Sequence, residues 1–272
     1  MALNESWQLP DISAGTLKVM LAKEAADMEN SQRLRYHIYF EEMGGAPSPE
    51  VKNSGRDYDD FDSVCDHLLV IDQSLIGKEN PVVGTYRLLR STPAKKFGRF
   101  YSESEFDITP LKNTPGEIME LGRSCVRPDY RSRSTMQLLW RGIGAYMMHH
   151  KVQYLFGCAS FVGLDVEPLK PALSFLYHNR LAPKEIRVKA LSDLYVKMDW
   201  LDAESCSTPR VVASMPPLIK GYLKLGCYIG DGAVKDPSAN TTDVSIILPT
   251  NAVTDKYFER YAASHSQNTP ET

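Results

Sequence analysis

The sequence predicts an α/β protein: a central sheet with helices on both faces. Short apolar or alternating runs of strand length recur between amphipathic stretches of helical period, which is the pattern of such layered folds. At 272 residues, the chain is long enough for one large domain or two modest ones. Its 43% hydrophobic and 24% charged residues are ordinary for a globular protein that folds without disulfides or metal.

The first strand is expected at Thr16–Glu24, where Leu17, Val19 and Leu21 alternate with Lys18 and Met20. Ala25 to Met43 reads as a charged helix stopped by Gly44-Gly45, followed by a loop to Gly55. His67 to Asp72 and Pro81 to Arg90 form two strands of a hairpin, turned around Gly77 to Asn80. Glu117 to Val126 is a further strand. Ser134 or Thr135 caps a helix to about His150, with Leu138, Leu139, Ile143, Tyr146 and Met147 as its apolar stripe. Tyr154 to Ala159 reads as a buried strand and Glu167 to Asn179 as an amphipathic helix. Residues 201–217 form a polar, proline-containing passage; 218–262 add a short helix, a strand at Val244–Leu248 and a last helix. The expected organisation is a tail over 1–15, a core over 16–200, an extension over 201–262 packed on it, and a disordered tail over 263–272.

The N-terminus has no secretory signal and no stretch is long and apolar enough to span a membrane, so a cytoplasmic protein is expected. Leu218 to Ile229 is amphipathic, with Lys220 and Lys224; it reads either as a helix lying on the inner membrane surface or as a core helix. The net charge of −3 argues against a nucleic-acid partner. None of the five cysteines forms a CxxC pair, so neither a zinc site nor a redox motif is expected; no metal is called for.

Two charge patches stand out. Arg56 to Asp66 holds Asp57, Asp59, Asp60, Asp62 and Asp66 with Tyr58 and Phe61 between them, and reads either as a solvated loop or as a site for a small cation. From Gly122 to Arg141, Arg123, Arg127, Arg131, Arg133 and Arg141 face one acid, Asp129, where a strand ends and a helix begins. With Ser134 and Thr135 at the helix start, Arg127, Arg131 and Arg133 read as a phosphate site, which Arg180, Lys184, Arg187 and Lys189 could extend. The other reading is arginines paired with acids elsewhere. An anion-reading edge and an amine-reading edge together suggest group transfer from a phosphate-bearing donor to an amine.

The segments "ELGRSCVRPDYRS", "LLWRGIGAYM", "LFGCASF", "QRLRYHIYFEEMG", "RDYDDFDSVCDHLLVID", "VVGTYRLLR", "FYSESEFDITPL" and "PPLIKGYLKLGCYIGDGAVKDPSANTTDVSIILP" carry a resemblance covering roughly residues 16–262. They resemble the ornithine acyl-ACP N-acyltransferases and, more distantly, the acyl-homoserine lactone synthases, both of the GNAT superfamily. The resemblance implies a mixed sheet whose central strands splay to admit a pantetheine arm. It implies transfer of a (3-hydroxy)acyl chain from acyl carrier protein to the α-amino group of L-ornithine, giving lyso-ornithine lipid, with no bound cofactor beyond the donor's phosphopantetheine. Lysine, glutamine, glycine or a homoserine-lactone-type acceptor remains open, as does a hemolysin-like lipid- or carrier-binding module. The likeness points to Arg35, Asp59, Asp62 and Arg87 as substrate-binding and to Glu120 and Arg123 as catalytic, Glu120 being the base. The GNAT pyrophosphate loop, RxxGxG or RxxGxA, is matched here by RSRSTM (131–136) without its glycines, which favours a carrier protein over coenzyme A.

Two rival chemistries are weaker. His67 and Asp72 have the HxxxxD spacing, but on a strand an odd separation puts them on opposite faces. Cys125 and Cys158 sit in apolar strands with no activating neighbour in sequence. The aromatic loop around Ser102 to Phe106 is expected either to close over an acyl chain or to pack on the sheet; Trp140, Tyr146 and Phe156 read as core.

Overall fold

A computed structural model describes residues 7–131 and 133–251, with the side chain of Arg133 also outside the description. In chain order the elements are β1 (Ser13–Ala14), β2 (Leu17–Leu21), α1 (Ala25–Tyr36), α2 (Pro49–Ser54), β3 (Asp66–Asp72), β4 (Val82–Arg90), α3 (Ser91–Phe97), β5 (Phe106–Asp107), α4 (Thr109–Lys112), β6 (Glu117–Val126), α5 (Arg133–His149), β7 (Val152–Val162), α6 (Lys170–Arg180), β8 (Lys189–Ala190), α7 (Ala203–Cys206), α8 (Pro209–Ser214), α9 (Pro217–Leu225), β9 (Tyr228–Asp236) and β10 (Thr241–Pro249). The strands join in one mixed sheet in the order β1-β2-β3-β4-β6-β7-β10-β9-β8-β5. β6 runs parallel to β7, and β8 to β9; the other neighbours are antiparallel.

Both faces are covered, as side-chain alternation along β3 shows. Leu68 and Val70 join Leu139, Ile143 and Tyr146 of α5 in one core, while Leu69 packs with Leu34 and Ile38 from the α1 segment in another. A third cluster, with Phe61, Phe100, Phe106, Ile118 and Phe156, fills the sheet beside the 100–108 loop. Phe100 stacks edge-on against Phe156 at 5.1 Å, so this aromatic loop packs on the sheet.

The central pair of the sheet is only partly joined. β6 and β7 are bonded only from Glu117–Val152 to Glu120–Phe156, then part. Gly157 sits at the vertex: a Cβ there would lie 2.2 Å from the Leu121 carbonyl oxygen, so only glycine allows the approach. The β9–β10 hairpin tip meets the segment that follows α1, where the Ala46 N–H donates to the Ser238 carbonyl at 2.8 Å. Gly45 makes room for that contact; its Cβ would stand 2.9 Å from the Tyr39 oxygen and 3.0 Å from that of Ser238.

Several expectations are corrected. The stretch read as a tail over 1–15 contributes β1, buries Ile12 and stacks Trp7 on His149 at 4.3 Å. The 45–55 loop contains α2, capped by the Ser48 hydroxyl on the Val51 N–H. The polar passage 201–217 holds α7 and α8, which pack on α6. β9 was not foreseen, because its glycines, Gly230 and Gly232, obscure the strand pattern. Ser134 and Thr135 lie in the first turn of α5 rather than capping it. The membrane-surface reading of Leu218 to Ile229 fails: Ile219, Tyr222 and Leu223 of α9 are buried in the core, and the segment's end enters β9. Among the described residues, no helix is long and apolar enough to cross a membrane. The last helix and the tail of 263–272 lie outside the described residues, as does most of 250–262.

Candidate active site

The six residues named by resemblance meet in one place: Arg35, Asp59, Asp62, Arg87 and Arg123 form one network rather than two facing edges, and Glu120 lies beside it across a small void from Arg87. Arg35, fully buried on α1, donates from Nε to Asp57 at 2.7 Å and from its two terminal nitrogens to both Asp62 oxygens at 2.9 and 2.8 Å. Arg87 on β4 reaches Asp59 at 2.5 Å and Asp62 at 3.1 Å. Arg123 pairs with Asp57 at 3.2 Å and Asp59 at 3.5 Å. Burial by itself would raise the carboxyl pKa of Asp62, but the hydrogen bonds and charge of Arg35, with Arg87, hold it well below the usual carboxylate range. Asp62 accepts a further bond from Gln32 at 2.9 Å.

This corrects the reading of the acidic run as an open cation site. Asp57 and Asp62 are buried and already neutralised; their carboxylates brace α1, β4 and β6 against one another. Asp59 is partly exposed, on an open cleft of about 580 Å³ lined also by Gln32, Arg56, Tyr58, Asp60 and Asp62.

The arginine run divides as well. Arg123 turns inward to the aspartates. Arg127 makes a bidentate pair with Asp129 at 2.8 and 2.9 Å and reaches Glu79; Arg131 grips Glu42 at 2.5 and 2.6 Å. The acids absent nearby in sequence arrive from other elements, so the paired reading of Arg127 and Arg131 is the one observed. Lys189, expected with Arg180, Lys184 and Arg187 to extend this patch, is on β8, three strands beyond β7, paired with Asp231 at 3.8 Å, and Arg187 donates to the Ala182 carbonyl at 2.7 Å.

Arg123 is held in a costly backbone state. Its φ is 48°, rare for a residue with a side chain, and it sits where the β4–β6 register slips between Thr85–Cys125 and Arg87–Gly122. A π-helical turn at His37–Glu42 continues α1 and brings Tyr39 over the same point, where its hydroxyl donates to the Ser124 carbonyl at 3.0 Å. Arg123 lies between the Tyr39 and Tyr101 rings, 5.7 and 5.1 Å from their centroids.

Glu120 is at the vertex, 4% exposed, and accepts bonds from the Tyr101 N–H at 2.8 Å, the Ser102 N–H at 2.7 Å and the Ser102 hydroxyl. Burial pushes its pKa up against those bonds. A void of about 10 Å³ lies beside it, bounded also by Arg87, Tyr101 and Gly122, which is about the space one water needs.

The sequence reading missed a second set of groups. The Ser102 hydroxyl stands 3.5 Å from Cys158 on β7, and the Cys158 thiol donates to Glu105 at 3.3 Å. Carboxylate oxygens of Glu105, Asp236 and Asp243 lie within 4.8 Å of one another. Burial, then the Asp243 charge, pushes the Glu105 pKa up to about 7; burial pushes Asp243 up to about 6. Burial also raises the Cys158 thiol well above its usual range, which argues against a thiolate nucleophile there. The signal for Asp243 was an ionisable residue in "TTDVSIILP", a run otherwise fit for a buried strand. His67 and Asp72 go to separate partners, the Asp62 carbonyl and Tyr130.

A mixed sheet parted at its centre, with polar groups gathered in the V, defines the class: an N-acyltransferase of the GNAT fold. Residues 34–141 match the Acetyltransferase (GNAT) domain family. Over 250 residues the chain is 46% identical to the L-ornithine N(alpha)-acyltransferase of Agrobacterium fabrum (strain C58), covering 91% of this chain and 85% of that protein. Identity to the protein of the same name from Rhizobium meliloti (strain 1021) is also 46%, over 91% of this chain and 84% of the relative. The crystal structure of the AHL synthase LasI superposes with a TM-score of 0.45 at 11% identity, over 87% of this chain and 91% of LasI. The chain belongs to the family of L-ornithine N(alpha)-acyltransferases.

Proposed function

We propose that this protein transfers a (3-hydroxy)acyl chain from the phosphopantetheine thioester of an acyl carrier protein to the α-amino group of L-ornithine, giving a lyso-ornithine lipid. The observation that carries the reading is the parting of β6 and β7 after Glu120–Phe156, with Glu120, Arg123 and Glu105 around the opening. Family membership supports ornithine as acceptor. Missing glycines at 131–136 support a carrier protein as donor, and such a donor implies a cytoplasmic reaction.

The α-nitrogen attacks the thioester carbonyl, the C–S bond breaks as the amide forms, and the sulfur leaves as a thiolate that takes up the proton removed from nitrogen. An α-amino group titrates about two units or more below a lysine-type amine, so near neutral pH it is the more readily deprotonated of the two nitrogens. Glu120 takes the proton through a water in the adjoining void. Arg123 orders the aspartates, and Arg35, Asp59, Asp62 and Arg87 set the wall against which substrate binds. The β6 backbone past Leu121, freed from β7, offers N–H groups to the developing oxyanion. The carrier's acidic face meets the base of α5, where Arg127, Arg131, Arg133, Ser134 and Thr135 lie, and exchanges its own carboxylates for Asp129 and Glu42.

The test is release of free carrier thiol from acyl-carrier protein, with and without L-ornithine. Amine-dependent release with formation of the ornithine amide is expected. Release that needs no amine, or none with ornithine present, overturns the reading. Glu120→Gln should lower kcat about 10²-fold or more with little change in donor KM; near-normal turnover removes Glu120 as base.

A further inference from the structure

The Glu105–Asp236–Asp243 cluster differs from Asp57, Asp59 and Asp62 in having no arginine in contact with it. Arg35, Arg87 and Arg123 account for Asp57, Asp59 and Asp62. Among the described residues, no lysine, arginine or histidine pairs with Glu105, Asp236 or Asp243 within 4.0 Å. Asp236 is half-buried and spends one oxygen on the backbone N–H groups of Ser238 and Ala239 and the Ser238 hydroxyl. Glu105 accepts only the Cys158 thiol from a side chain. Asp243 is 5% exposed, and its Oδ1 is buried with no hydrogen-bond partner.

A buried carboxylate oxygen without a partner is expensive, and the help Asp243 draws from Ser160, Thr241 and the Arg123 charge falls short of offsetting its burial. Three carboxylates gathered here, two of them buried, have the charge to hold a cation. Its position is informative. Asp243 lies opposite Ser160 on β7, past the vertex of the V, and Glu105 is linked through Cys158 and Ser102 to Glu120. The cluster therefore stands on the β7 side of the opening, joined to Glu120 by a chain of hydrogen bonds. A hard divalent metal would want six or more oxygen ligands, and a thiol bonded to one of three carboxylates is a poor start on such a shell. An ammonium needs three acceptors, one for each N–H.

We infer that Glu105, Asp236 and Asp243 form the cradle for the side-chain ammonium of the acceptor, and so select an amino acid with a second amine. This rests on the acyl-transfer reading above and names the part of the site that recognises the acceptor. Binding there keeps the distal nitrogen protonated and unreactive, leaving the α-nitrogen to attack. It also replaces Asp59 and Asp62, the residues first expected to hold that charge.

The experiment compares L-ornithine with L-norvaline, which has the same carbon chain without the side-chain amine, in the wild-type protein and in Glu105→Gln, Asp236→Asn and Asp243→Asn. Acyl-carrier protein is the donor. The wild-type protein should prefer ornithine, and the ornithine-to-norvaline ratio of kcat/KM should fall at least tenfold in Glu105→Gln and Asp243→Asn, through ornithine KM, with donor KM unmoved. Thermal melting with added ornithine gives a second reading: the ligand-induced rise in Tm should shrink in the same variants. Asp236→Asn, at the rim, keeps the test open should a buried variant fail to fold; it should lower the ratio in the same direction. An unchanged ratio in the variants that fold overturns the inference while leaving transfer to ornithine intact. Loss of wild-type activity on EDTA treatment, with one calcium, magnesium or zinc bound per chain by calorimetry, also overturns it. Absence of any transfer to ornithine by the wild-type protein would instead overturn the function itself.

Discussion

Arg35→Met is the sharpest probe of the network behind the site. Methionine keeps most of the length of the arginine stem, so the cavity is small and the charge is isolated. The buried guanidinium makes hydrogen bonds to Asp57 and Asp62, including one to the Asp57 carbonyl. Removing one partner of a buried ion pair costs about 3–5 kcal/mol. Here the stranded acids keep some help: Asp62 retains Arg87 at 3.1 Å and Gln32 at 2.9 Å, and Asp57 retains Arg123 at 3.2 Å. The lower end, about 3 kcal/mol, is therefore expected. With a urea m-value of about 2–3 kcal/mol/M, the midpoint should fall by about 1–1.5 M. Adding Asp62→Asn should restore part of the loss, because it removes the stranded charge. A midpoint shift below about 0.3 M, or further loss in the double variant, would refute the account. Turnover should fall in Arg35→Met because Arg123 is positioned through the same Asp57.

Glu105→Gln should also act on stability, with a pH signature. The folded pKa of Glu105 is raised to about 7, so its contribution to stability is complete below its unfolded value and is lost as pH rises through 7. Without ornithine, Glu105→Gln should melt above the wild-type protein at pH 8 and close to it at pH 5; an equal difference at both pH values argues against a buried, uncompensated carboxylate. Gly157→Ala should cost about 3 kcal/mol, since its Cβ would meet a carbonyl oxygen that cannot move without breaking the β6–β7 ladder; normal denaturation would show that the vertex is looser than described. Cys158→Ser should keep most of its turnover, and the wild-type protein mixed with donor alone should show no added acyl mass. An acyl-enzyme on Cys158 would reverse that expectation.

The chain by itself determined the periodic elements and, through its resemblance, the family. Strands such as Val82–Arg90 and Glu117–Val126 announce themselves because side-chain alternation and apolar content are local properties. The residues Arg35, Asp59, Asp62, Arg87, Glu120 and Arg123 were likewise legible as a set. Their roles were not, because pairing is a property of space. The acidic run could be a solvated loop or a cation site until arginines from α1, β4 and β6 were seen to fill it, and the arginine run could hold phosphate or pair with acids until Asp129, Glu79 and Glu42 were seen against Arg127 and Arg131. Glu105 and Asp243 are 138 positions apart, so no spacing could connect them. Only the sheet order, which places β10 against β7 and the 100–105 loop beneath the parted strands, brings their carboxylates together and leaves one oxygen without a partner.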